Sequence, residues 1–505
     1  MFQVNSQTQL SSEQILIRAH ASLGELGEFL RPLAEAFAAR GHRLYLVGGS
    51  VRDALLEKLG HDLDFTTDAV PDVVKQILEE FAEVVWDTGI DYGTVSAEKH
   101  GQLIEITTFR ADTYDGQSRN PEVVFGDTLE GDLIRRDFRV NAMAMEIKAD
   151  GGMVFHDPVG GLEDLAAGVL DTPATPQQSF HDDPLRMLRA ARFVSQLGFE
   201  VTDRVRAAMT DMAAEIDRIT AERIQVELDK LILGKDPSRG IDLLVETGLA
   251  ERVYPEIPAL RLAQDEHQQH KDVYAHSLKV LQQAIDQEDD GPDLVLRWAA
   301  LVHDIGKPDT REFNEQGHVS FHHHEVVGAK LVRKRMRKLK YSKQMIADVS
   351  QLVYLHMRFH GYGEAEWTDS AVRRYVTDAG ELLPRLHKLV RSDCTTRNPK
   401  KAARLQRTYD ALEERIAEIA AKEDLAKVRP DLDGNEIMGI LGLRPGPEVG
   451  KAWAFMKELR LERGPLERED AIAELQAWWA NQHGQVEEPA PSPATNRELS
   501  SSEEE

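Results

Sequence analysis

Residues 44–47, Leu-Tyr-Leu-Val, form an unbroken apolar run closed by Gly48-Gly49, the pattern of a short buried strand. Ser50, with Asp53 three positions on, reads as a helix cap and predicts a helix over 51–59 stopped by Gly60. Residues 63–66 and 103–109 read as further strands, and the polar, glycine-containing stretch 110–120 as a mobile loop. From about 162 the period turns helical. Residues 184–197 and 221–233 carry apolar side chains at helical spacing, and 294–302 is an apolar helix ended by Gly306 and Pro308. The Pro/Ser/Glu-rich end cannot bury a core and reads as a disordered tail. The expected fold is α+β, with a small β-sheet head followed by helices throughout. Its expected parts are an N-terminal extension at 1–25, a head at 26–161 and a helical neck at 162–265. A histidine-rich helical region at 266–400, a helical region at 401–485 and an acidic tail at 486–505 follow.

At 505 residues the chain is too long for one ordinary core, and 41% hydrophobic residues exclude wholesale disorder. No apolar run reaches the roughly 18–20 residues that span a bilayer, so no membrane partner is expected. The first residues show no secretory pattern, and the single cysteine, Cys394, allows no internal disulfide; a cytoplasmic location is the expectation. The net charge of -26 argues against indiscriminate nucleic-acid binding. Two basic clusters run against that average. One is 330–340; the other is Arg397, Lys400, Lys401, Arg404 and Arg407. Each reads equally as a solvated helix face or as an RNA contact.

Asp62 and Asp64, spaced i, i+2 on a strand, project to one face while Leu63 and Phe65 turn to the core. Adjacent carboxylates repel unless a cation sits between them, and hard oxygen donors favour Mg²⁺. Glu105 adds a third carboxylate in an otherwise apolar and hydroxyl-bearing strand. Three such groups on neighbouring strands can hold two Mg²⁺ ions roughly 3.5–4 Å apart. Gly48 and Gly49 let backbone N–H groups approach a phosphate, the helix beginning at Ser50 points its positive end there, and Arg52 could add a cation.

The run Leu46-Val47-Gly48-Gly49-Ser50-Val51-Arg52-Asp53 followed by Asp62-Leu63-Asp64-Phe65 resembles the first motif of class II tRNA nucleotidyltransferases and bacterial poly(A) polymerases. The likeness continues in order through Arg135-Arg136-Asp137-Phe138-Arg139-Val140-Asn141-Ala142, Asp157-Pro158-Val159-Gly160-Gly161, Asp182-Asp183-Pro184-Leu185-Arg186, and Ala221-Glu222-Arg223-Ile224 with Glu227. Asp182 stands where Glu is usual and Arg139 where Thr is common. The resemblance implies a tRNA partner and CTP and ATP as substrates. It also implies ribose and triphosphate contacts from Arg135, Arg136, Asp137 and Asn141, joined by Arg189 and Arg192. It further implies base selection by Asp183 and Arg186. A carboxylate accepts from the exocyclic amines of C and A and repels the carbonyls of G and U, so no template is needed. The competing reading makes Asp183 an N-cap before Pro184. The segment Thr88-Gly89-Ile90-Asp91-Tyr92-Gly93-Thr94-Val95 is similar to the CCA-adding version rather than the polymerase one, and 110–120 fits the loop thought to help the switch from C to A.

His303-Asp304 follows the apolar helix over 294–302, His276 shares a helical face with Val273 and Val280, and His322-His323-His324, His356 and Asp393 come later. Imidazoles with Asp suit a divalent transition metal or Mg²⁺. The ordered set resembles an HD domain. That resemblance implies His276, His303, Asp304 and Asp393 as metal ligands, with His324 and His356 completing a second metal or phosphate site, and hydrolysis of a phosphoester such as a 2′,3′-cyclic phosphate where the chemistry is retained. The sequence reading is a template-independent enzyme adding CCA to tRNA by two-metal nucleotidyl transfer. Its rivals are a poly(A) polymerase, a CC-only or A-only enzyme, an HD phosphohydrolase and a non-catalytic RNA-binding protein.

Overall fold

The computed structural model describes residues 11–109, 126, 128–262, 272–313, 315, 319–361, 367–396, 398–423 and 428–483. The expected loop at 110–120 and the tail at 486–505 lie outside them. The chain divides into two compact units, the first ending at Tyr354 and the second starting at Leu355.

The first unit opens on α1 (Ser12–Ala39), begun by a capping box between Ser11 and Gln14. Its buried stripe, Leu30, Leu33, Ala34 and Phe37, lies at i, i+3, i+4 and i+7. Seven strands follow: β1 (Leu44–Val47), β2 (Asp62–Thr67), β3 (Val84–Trp86), β4 (Thr94–Lys99), β5 (Gln102–Thr108), β6 (Ala144–Ile147) and β7 (Met153–His156). They form one mixed sheet in the order β3-β4-β5-β2-β1-β6-β7. Only β2 and β5 among them run parallel. One face is apolar, with Leu44, Leu46, Leu63, Phe65, Val95, Ala97, Ile104 and Ile106 buried. It packs under α1 and α3 (Pro71–Phe81). On the other face Tyr45 and Val47 are covered by Phe109, Leu133, Ala142 and Ala144, while Asp62, Asp64 and Glu105 stay open.

The helix expected over 51–59 is instead α2 (Gly48–Leu55). It starts directly on the strand's end, and Ser50 is not its cap. The Ser50 hydroxyl accepts from the Asp64 amide at 2.9 Å and donates to the Asp62 carbonyl at 3.3 Å, tying α2 to β2. Asp53 pairs with Arg52 rather than completing a capping box. The helix ends well before Gly60, ahead of Glu57 at φ 56°.

After α4 (Leu129–Ile134) the neck comprises α5 (Gly161–Ala167), α6 (Pro176–Asp182), α7 (Leu185–Leu197), α8 (Asp203–Asp211), α9 (Ala221–Ile232) and α10 (Pro237–Glu246). α7 lies between α9 and α10, and the Ser195 hydroxyl bonds the Leu231 carbonyl at 2.6 Å. Helices Val273–Ile285, Leu294–Val302 and His324–Lys338 join this body. Buried Arg297 donates to the Ile232 and Gly234 carbonyls, and Asp229 accepts from Trp298 and Tyr341. The basic cluster at 330–340 lies mostly on His324–Lys338: Val332 and Met336 face inward, Arg335 pairs with Glu256 at 2.9 Å, and Lys330, Lys334, Arg337 and Lys338 are exposed.

The second unit is helical, with a core of Leu432, Ile437, Ala452, Met456, Leu459, Ala471 and Leu475. Its buried Arg373–Glu423 pair spans 2.8 Å. Of the second basic cluster, Lys400, Lys401, Arg404 and Arg407 are exposed on Pro399–Ala420, and Arg397 is outside the described residues. The expected limits at 25/26 and 400/401 fall within α1 and within Pro399–Ala420. No helix among the described residues is long and apolar enough to cross a membrane.

Candidate active site

Parallel pairing sets Asp64 directly beside Glu105, with Asp62 one row along in register with Leu103. Ser96 of β4, opposite Glu105, donates to its carboxylate at 3.2 Å. Asp64 faces the open side of the sheet, yet the surrounding protein withholds water from it. That desolvation, and then the charge of Glu105, raise its pKa, with Arg136 offsetting part. Two like charges held side by side by the sheet are a fit for divalent cations.

Gly48 sits at the same end of the sheet at φ 66°, and a Cβ there would lie 2.8 Å from Nη1 of Arg136. The left-handed backbone favours glycine here, and the absence of a Cβ leaves room for the tip of the Arg136 side chain. Val47, at the cap position of α2, has no side-chain acceptor, so the first-turn amides are left for an incoming anion. Arg136 and Arg135 are both held by Asp132 of α4, at 3.0 and 3.3 Å, its carboxylate buried. Asp132 escaped the sequence reading, although its i, i+3 and i, i+4 spacing to the two arginines is an ion-pair signal.

Arg52, expected to reach phosphate, is buried. It donates to both Asp53 oxygens and to the Asn141 side-chain oxygen at 2.7 Å. From there a chain of polar contacts crosses into the neck. Asn141 donates to Asp137 at 2.9 Å; Asp137 accepts Arg189 Nε at 2.8 Å; Glu227 of α9 takes Arg192 at 3.0 Å. The guanidiniums of Arg52, Arg189 and Arg192 surround the Phe193 ring. Burial opposes ionisation of Asp137, but the Arg189 charge and the Asn141 amide outweigh it and hold the carboxyl well below the usual range. Burial, and then Arg189, push Arg192 down to about 10.

Asp183 and Arg186 stand at the start of α7, where the Arg186 amide donates to the Asp183 carbonyl at 3.0 Å while their side chains bond other groups. Asp183 accepts Arg223 of α9 at 2.8 Å and the Leu185 amide at 3.2 Å, the latter a cap-like contact, although Pro184 holds the cap position. Arg186 donates to the Ser179 hydroxyl at 2.9 Å and to the Arg135 carbonyl at 2.6 Å. Arg139, at the position where Thr is common, turns away from the nucleotide side toward Asp171 at 3.5 Å and the Thr172 carbonyl.

A second cluster lies in the same unit. His276, His303 and Asp304 form a candidate metal group with ligand atoms within 4.8 Å of one another. Asp304 also takes His324 at 3.3 Å and Lys307 at 2.9 Å. The Nδ1 atoms of His303 and His324 meet the Ala300 and Phe321 carbonyls at 2.9 Å, which orients Nε2 toward the cluster. A Cβ at Gly306 would lie 2.1 Å from the His324 carbonyl, so glycine lets the two segments meet. Burial opposes the charge on Asp304, but His303 and Lys307 hold its pKa low. His356 and Asp393 belong to the second unit, in the turn His356–Gly361 and directly after Leu383–Ser392. Lys307 was missed in the sequence, though it lies i+3 from Asp304.

Comparison with known proteins finds three family matches: a poly A polymerase head domain over 44–171, a probable RNA and SrmB-binding site of polymerase A over 198–260, and an HD domain over 273–422. A CCA-adding enzyme of Levilactobacillus brevis is 43% identical over 45% of this chain and 55% of its own length. The chain thus spans about half the length of the first curated relatives it matches. An A-adding tRNA nucleotidyltransferase of Deinococcus radiodurans is 34% identical over 72% of this chain and 82% of its own. Among solved structures, the Bacillus stearothermophilus CCA-adding enzyme in complex with CTP aligns with TM-score 0.62 and 24% identity over 91% of this chain and 99% of that one, a likeness of fold.

Proposed function

The chain belongs to the tRNA nucleotidyltransferase family, and on that premise we propose that it adds C, C and A to the 3′ end of tRNA without a template, from CTP and ATP, releasing pyrophosphate in the cytoplasm. The observation that carries this reading is the register of Asp64 with Glu105 on parallel strands beside the glycine-led start of α2. Asp62, Asp64 and Glu105 would hold Mg²⁺, the hard cation suited to an all-oxygen donor set. Bound there, the cations would neutralise triphosphate charge and acidify the attacking 3′-hydroxyl.

Gly48, Gly49 and the first amides of α2 cradle the triphosphate, with Arg135 and Arg136 held over it by Asp132. Ser50 fixes α2 against β2. Arg52, Asp137, Asn141, Arg189 and Arg192 form the polar frame that sets the head against the neck, rather than all meeting substrate directly. Asp183 and Arg186 read the base. The head is residues 26–161 and the neck 162–265, with an HD region, 266–400, whose ligands in the first unit are His276, His303, Asp304 and His324. That region takes a divalent metal and adds phosphoester hydrolysis.

Replacing Arg186 with Ala is expected to relax selection of CTP over UTP by about tenfold or more, since a good base contact contributes about 1–3 kcal/mol of discrimination. Unchanged discrimination in competition assays would return Arg186 to a purely structural bond with Arg135.

A second reading has its own support: a relative matched over 72% of this chain is an A-adding tRNA nucleotidyltransferase. Labelled CTP offered with tRNA lacking CCA separates the two. CTP incorporation supports full addition; label from ATP alone, and only on tRNA already ending in CC, supports the A-adding reading.

A further inference from the structure

The open face of the sheet continues past the carboxylates to its edge. Strand register places Asp64 of β2, Glu105 of β5, Ser96 of β4 and Trp86 of β3 in one row. Residues paired across strands point to the same face. Strands lie ~4.8 Å apart, so Trp86 shares the face of Asp64 and stands about 10 Å from Glu105 along the row. Val84, paired with Glu98, lies on the same face in the next row, while Val85, paired with buried Ala97, turns to the apolar side.

Trp86 is 40% exposed and Val84 46%. Among the described residues the Trp86 indole N–H has no hydrogen-bond partner and its ring meets no other ring. Trp298, by contrast, is buried, stacks on Tyr254 and donates to Asp229. β3 is an edge strand. Edges are ordinarily blunted with charge; this one turns two apolar side chains to water on the face of the reacting carboxylates. Val84, Trp86, Thr94, Ser96 and Glu98 line that end of the face, with no cation among them. The strip therefore suits the face of a nucleobase rather than a phosphate.

The chemistry says which base. The triphosphate cradle at Gly48 and Arg136 follows β1, on the side of β2 away from β5. In-line displacement sets the attacking hydroxyl opposite the leaving pyrophosphate, so the RNA 3′ end approaches from the β5-β4-β3 side. We propose that Trp86, with Val84 beside it, is a stacking platform for the 3′-terminal base of the RNA acceptor; this rests on nucleotidyl transfer at Asp62, Asp64 and Glu105. Stacking on a ring tolerates any base, because every base has a π-face. That tolerance fits an acceptor whose last base changes with each addition.

The test is steady-state incorporation of labelled CTP on tRNA lacking CCA and of labelled ATP on tRNA ending in CC, by wild type, Trp86→Ala, Trp86→Phe and Trp86→Leu. The same RNAs made abasic at their last nucleotide serve as the second arm, and light scattering gives the size of each protein. Trp86→Ala is expected to lower kcat/KM for the RNA about tenfold, the size of one base–aromatic stack, with the KM for the nucleotide little changed. Phenylalanine should restore most of the loss, and leucine, apolar but not planar, should not. On the abasic RNAs Trp86→Ala should match wild type, because the ring's partner is already gone. Wild-type kinetics in Trp86→Ala, an equal loss on intact and abasic RNA, or rescue by leucine as good as by phenylalanine overturns the platform and leaves the carboxylate site standing. A loss that follows conversion of a dimer to a monomer assigns the strip to pairing of two β3 edges and overturns it as well. If wild type incorporates neither nucleotide, the transferase reading falls with it.

Discussion

An Asp64→Ala protein is expected to lose nucleotide incorporation by at least about 10³-fold, the scale on which one preorganised electrostatic contact to a transition state acts, while still binding tRNA. The argument is local. Asp64 and Glu105 are locked side by side by the β2–β5 register, and the Ser50 hydroxyl holds the Asp64 amide. Alanine keeps the strand, whose register depends on Leu63 and Phe65 facing the core, and removes only the outward carboxylate. Asp62→Ala should behave alike. The checks are incorporation of labelled CTP, tRNA binding by gel shift, and Mn²⁺ binding followed by paramagnetic resonance. Loss of activity with metal binding intact would break the link drawn between the two.

Arg189→Ala is expected to destabilise the first unit by about 3–5 kcal/mol at neutral pH, because it strands the buried Asp137 carboxylate. Asp137 would keep the Asn141 and Phe138 donors but lose its cation. The sign with pH follows from the depressed pKa. The stabilisation from ionised Asp137 is present above its unfolded value, about 3.9, and is lost only as pH falls through the lower folded value. Wild type should therefore hold this contribution through mildly acid solution, and the mutant should lack it at neutral pH already. Urea midpoints at several pH values measure both. A cost under about 1 kcal/mol, typical of exposed ion pairs, would mean that Arg189 is not the group that offsets the burial of Asp137.

What was legible in the sequence was what local pattern encodes. The alternation of Asp62-Leu63-Asp64-Phe65 announces a strand with two carboxylates outward, and the burial pattern follows it. The apolar helix at 294–302 was placed correctly because every residue of it but Arg297 is apolar. The start of α2 was misplaced because Gly48 and Gly49 are poor helix formers, and only the sheet and Arg136 explain why they begin one. Ser50 looked like a cap because caps are local, whereas its hydroxyl is spent on a strand twelve and fourteen residues away. Arg52 looked free to meet phosphate for the same reason; its partner Asn141 is far along the chain. Arg223 carries no local signal toward Asp183 at all, since the neck must fold before they meet. Charge clusters were legible as composition, but not which of their members pair: Arg335 finds Glu256, and its neighbours Lys334 and Arg337 stay exposed.

The most direct test is to incubate the purified protein with tRNA trimmed of its last three nucleotides, CTP, ATP and Mg²⁺, and to size and sequence the product. The account predicts extension by C, C and A with stoichiometric pyrophosphate, abolished by Asp64→Ala. A long homopolymeric adenosine tail, or no extension by wild type under conditions where tRNA is bound, would contradict it.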